Sequence, residues 1–100
     1  MPEEDRAALR SCHVELLDNI GDVLSLCENL YQHKIIDNDD MDEIRNITKK
    51  RERNAFVLRT LQTRGNILDF VIKIMQGQRE NQGAAAILQK MRYQAAQQPL

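Results

Sequence analysis

The chain has 100 residues, 42% of them apolar and 29% charged, with a formal net charge of −1. That length and apolar fraction suit one compact domain with a core and leave too little chain for two. Two Tyr, two Phe and no Trp favour helices over a turn-rich β fold, and a near-neutral total excludes a uniformly basic nucleic-acid binder. Cys12 and Cys27 lack the spacing of a disulfide scaffold or a zinc knuckle, so both read as reduced thiols. The acidic start MPEEDRAALR has no signal-peptide core, and no run approaches the roughly 18 apolar residues of a membrane span. The reading is a soluble cytoplasmic protein.

From Glu3 the apolar positions Leu9, Cys12, Leu16, Leu17 and Ile20 form one stripe of a first helix, stopped by Gly21. Asp22 caps a second helix carrying Val23, Leu26, Cys27, Leu30 and Tyr31 inward, with Leu24 on an adjoining face, and Ile35 and Ile36 anchor the connection that follows. Asp37 with Asp40 resembles a capping box, opening a short third helix that runs to about Asn46 with Met41 and Ile44 inward. Thr48 is the cap candidate for a fourth helix over about 49–64, which buries Ala55, Leu58 and Leu61 with Phe56 and Val57 at the margin. Gly65 stands where a left-handed stop is wanted. Asn66 caps a fifth helix whose apolar residues, Ile67 to Met75, lie almost all round it, as in the centre of a bundle. A polar loop over 76–83 leads to a sixth helix with Ala84, Ile87, Leu88 and Met91, and QAAQQPL begins a linker or a cut end. The expectation is an all-α, antiparallel six-helix bundle over 1–92, with 93–100 outside it.

The charges are not evenly spread. Residues 1–43 hold twelve Asp or Glu against three Lys or Arg, and residues 44–100 hold three against eleven. The switch falls inside DNDDMDEIRNITKKRERN, residues 37–54, which opens with five acids in seven residues, while KKRER holds four bases in five. A calcium loop fails here, because Met41, Asp42 and Thr48 stand at the fifth, sixth and twelfth positions; no metal or cofactor is expected. Acids at a helix start are stabilising, whereas Lys49, Lys50 and Arg51 in a first helical turn oppose the dipole. The basic cluster therefore points to a partner rather than to stability. A nucleic-acid or nuclear-import patch over Lys49–Arg53 is one alternative, although no aromatic is interleaved and the acids nearby repel phosphate. Catalysis finds no support, since Cys12 and His13 are helix neighbours pointing about 100° apart.

The segments ALRSCHVELL, GDVLSL, YQHKIIDNDDMDEI, ITKKRERNAF, LQTRGN and AAAILQKM, in that order over about residues 5–91, resemble the caspase recruitment domain, a branch of the death fold. The opening, the TRG stop and the ILQKMRYQAA ending are most similar to initiator-caspase prodomains and the adaptor that pairs with them. His33-Lys34 stands where relatives carry Gly after the second helix, and Asn66 where they carry Pro. The resemblance implies a Greek-key six-helix bundle that is not itself catalytic and docks onto another caspase recruitment domain in apoptotic or inflammatory signalling. It also implies a basic patch of Arg10, Lys50, Arg51 and Arg53 on the first and fourth helices. The matching acidic patch is Asp22, Asp37, Asp40, Asp42 and Glu43 on the second and third. An inhibitory decoy of the same fold is the remaining alternative, and membranes are not expected as partners.

Overall fold

The computed structural model describes residues 1–97, with side chains through Gln94, and the described chain is all-α without a strand. The helices are α1 (Glu3–Ser11), α2 (His13–Asn19), α3 (Val23–Gln32), α4 (Asn38–Asn46), α5 (Lys50–Leu61), α6 (Leu68–Gln76) and α7 (Gln82–Gln97), with a single 3-10 turn, Arg79–Asn81, before α7. None is long and apolar enough to cross a membrane.

Seven helices replace the expected six because the first one breaks. Cys12 leaves helical geometry at φ −112° and ψ 21°, and the break has a local cause. The Cys12 thiol donates to the Ala8 carbonyl at 3.1 Å and the Ser11 hydroxyl to the Ala7 carbonyl at 2.9 Å, so two side chains press on the carbonyl ladder where it bends. The bend serves packing: α1 lies on α7, while α2 reaches both α7 and α5.

The core is a single cluster in which Leu9, Leu16, Ile20, Leu26, Leu30, Ile44, Leu61, Leu68 and Leu88 are almost wholly shielded from water. Each such side chain contributes about 1.5–3 kcal/mol relative to exposure. Around it α3 packs on α4, α5 and α6, α4 on α5, and α6 on α7.

Three expectations of facing need correction. In α5 the buried stripe is Asn54, Val57, Leu58 and Leu61, with Ala55 only half-buried, so Leu58 and Leu61 face inward as expected while the face turns partway toward Asn54 and Val57. The polar Asn54 takes the place expected for Ala55. Tyr31 is exposed rather than inward. α6 is not central; it buries Leu68, Val71, Ile72 and Met75 at helical spacing and leaves Phe70 36% exposed, edge-on to His33 with ring centroids 4.8 Å apart. Neither Thr48 nor Asn66 caps a helix: the cap positions are Lys49 and Ile67, and neither makes a side-chain capping bond. α7 extends through Gln97, into the segment expected to start a linker, and 98–100 lie outside the described residues.

Candidate protein-docking surface

The start of α3 is built first by sequence and then by two distant amides. The Asp22 carboxylate caps the helix, accepting from the Ser25 amide at 3.1 Å and the Ser25 hydroxyl at 2.7 Å. The Ser25 hydroxyl and amide together hold this carboxyl below the usual range, with a smaller pull from Lys50. Lys50, on α5, thus bears electrostatically on Asp22. Behind this corner the fully buried Asn81 accepts from the Asp22 amide and donates to the Asp22 carbonyl, each at 2.9 Å. Gly21 donates to the Glu80 carbonyl at 3.0 Å, and any β-carbon there would meet that oxygen at 2.4 Å. The buried Asn54 donates to the Leu17 and Ile20 carbonyls at 3.0 and 3.1 Å, closing the end of α2.

The start of α4 follows the expected capping box: Asp37 accepts from the Asp40 amide at 2.9 Å, and Asp40 accepts from the Asp37 amide at 3.1 Å. The Asp40 amide is the main cause that holds the Asp37 carboxyl below its usual pKa. Asp40 also takes an ion pair from Arg64 at 2.8 Å, so it is half-buried and engaged on two sides. Asp42 and Glu43, two and three residues further on, are exposed and have no ion pair within 4.0 Å among the described residues.

The bases divide in the same way. Arg10 is exposed, yet paired at 2.9 Å with Glu3, whose carboxyl is held low by Arg6 and Arg10. Lys49 and Lys50 are exposed and unpaired among the described residues, and Arg51 meets only Asp18, at 3.8 Å with both side chains 58% exposed. Arg53 is half-buried, with its Nε donating to the Ile47 carbonyl, and so braces the α4–α5 connection. Among the described residues no ion pair joins the bases of 49–53 to the acids of 37–43.

Sequence reasoning missed Asp18 and Arg64, which pair with members of the two clusters. It also missed Asn54 and Asn81. Partners 24 to 59 positions apart leave no local signal; only an amide standing on an otherwise apolar stripe, as Asn54 does, hints at a buried role. No group of three or more metal-ligating side chains gathers among the described residues. Cys12 and Cys27 are buried free thiols, pushed up to about 11 and about 12 chiefly by burial, and are unsuited to nucleophilic chemistry.

Comparison with known proteins gives one match: the family model of the caspase recruitment domain fits residues 6–69. No curated protein and no solved structure matches the chain.

Proposed function

Because the chain belongs to the caspase recruitment domain family of the death-fold superfamily, a family of non-catalytic homotypic interaction modules, we propose that it recruits or clusters an initiator caspase in apoptotic or inflammatory signalling in the cytoplasm. The partner is another caspase recruitment domain, in a caspase, an adaptor or a nucleotide-binding scaffold, or a second copy of this chain. The domain spans about 1–92, and its last helix continues through Gln97.

Docking sets the basic patch of one molecule, Arg10, Lys50, Arg51 and Arg53, against the acidic patch of the next, Asp22, Asp37, Asp40, Asp42 and Glu43. The observation that carries this reading is that Lys50, Arg51, Asp42 and Glu43 stay exposed and are not consumed by one another within the molecule. Arg53 and Asp40 spend part of their capacity internally, as do Arg10 with Glu3, Asp22 with Ser25 and Asp37 with the Asp40 amide, so the contact weight falls on Lys50, Arg51, Asp42 and Glu43. An exposed ion pair supplies only about 0–1 kcal/mol; several must act together. Because the two patches differ, contact is head-to-tail, and a rotation that does not close builds an open filament.

Charge reversal tests this directly. Arg51→Glu is expected to weaken assembly by roughly tenfold or more with no loss in the circular dichroism melt, and mixing it with Glu43→Arg to recover part of the loss. Assembly indifferent to both reversals would remove the charged interface.

A further inference from the structure

We propose that Thr48 is a phosphorylation site for a kinase that selects basic flanks, and that its modification switches off the basic docking patch. The five Ser and Thr residues differ sharply in availability. Ser25 is bonded to Asp22, Ser11 to the Ala7 carbonyl and Thr63 to the Thr60 carbonyl, while Thr60 is half-buried inside α5. Thr48 alone is exposed, lies off a helix and makes no hydrogen bond through its hydroxyl among the described residues. Its neighbours Ile47 and Lys49 have ψ of 120° and 127°, extended backbone of the kind a kinase cleft receives. Around it the sequence reads RNITKKR: Arg45 three residues before, and Lys49, Lys50 and Arg51 directly after, all with exposed side chains. An acidic kinase cleft is electrostatically complementary to that frame.

In the reaction the Thr48 Oγ1 attacks the γ-phosphorus of kinase-bound ATP and the bond from that phosphorus to the β,γ-bridging oxygen breaks. ADP leaves and the hydroxyl proton passes to the kinase base. The product carries about −1.5 to −2 charges at pH 7 beside three cations, which cancels most of the local positive field. This second step rests on the docking reading; the first does not.

The test incubates the whole chain with magnesium ATP and a purified kinase selective for a base three residues before its acceptor. Phosphate is expected on Thr48 by peptide mapping, absent in Thr48→Val and slowed in Arg45→Gln. The phosphorylated chain is expected to assemble roughly tenfold more weakly, with an unchanged melt. Phosphate only on other residues, or none, would overturn the site. If Thr48 is phosphorylated and assembly is unaltered while Arg51→Glu abolishes it, the switch fails and the docking reading stands. If Arg51→Glu is also without effect, the docking reading itself is lost.

Discussion

Lys34 carries a backbone that its side chain resists. Its φ of 62° lies in the left-handed region, and the Lys34 amide donates to the Tyr31 carbonyl while the Ile35 amide donates to Leu30 at 2.9 Å. This is the paired closure that ends a helix and favours glycine. This chain adopts the conformation with a lysine in place of the favoured glycine. Lys34→Gly is expected to stabilise the fold by about 0.5–1 kcal/mol, the relief of left-handed strain less the added chain entropy; a higher urea midpoint at constant slope is the check. Asn54 acts in the opposite sense. Its amide serves two carbonyls at the end of α2, so Asn54→Ala strands them and should cost about 1–3 kcal/mol, again read by urea unfolding. The strain at Lys34 sits where a residue type was missing from the sequence, whereas the role of Asn54 was hidden, because its partners lie 34 and 37 positions away.

At the scale of elements, α4 and α5 are adjacent helices with opposite starts. α4 opens on a reciprocal acid cap, α5 on Lys49 with no side-chain cap and with Lys50 and Arg51 in the unfavourable first turn. The cap of α4 gives a pH signature. Asp37 has its pKa lowered from 3.8 on folding, so its contribution is full above that unfolded value and is lost as pH falls through the lower folded one. Asp37→Ala should therefore lower the melting temperature at pH 7, with a difference from the parent chain that shrinks as pH falls below 3.8, measured by thermal melts across that range. The box was legible because both of its members lie three residues apart. The break at Cys12 was not, because the stripe Leu9, Cys12, Leu16, Ile20 continues in phase across it. Only the two back-bonding side chains and the need to reach both α5 and α7 bend the helix.

For the whole molecule the question is how much of each charged pole remains available. Asp18 on α2 leans on Arg51 at 3.8 Å, and so competes with any carboxylate offered by a partner. Such an exposed pair is worth about 0.2–1 kcal/mol, and Asp18→Asn is expected to strengthen assembly about two- to fivefold at low salt by the same measure. Sedimentation across a salt series checks it, since the gain should fade as ionic strength rises. No gain at any salt would mean that Arg51 is not restrained by its neighbour. The α7 side is tied by a different device: Arg92 binds both the buried Asp5 of α1 and Asp69 of α6, which holds the last helix to two of those it packs against and engages those charges within the molecule.

Although α5 ends at Leu61, short of the stop expected at the left-handed Gly65, the amino-acid order alone determined the all-α class, the end of α2 just before Gly21, the caps at Asp22 and Asp37, and the separation of acids from bases along the chain. These are short-range matters, governed by periodicity, dihedral preference and neighbours within four residues. The family was legible for a related reason: the order of those short signals is itself a pattern. Tertiary structure decided the rest. It rotated α5 so that an amide faces the core, drew Asp40 toward Arg64 and Arg51 toward Asp18, and set Asn81 behind the α3 cap. Each of these depends on which side chains meet after the chain has packed, a relation between residues tens of positions apart that no local spacing encodes.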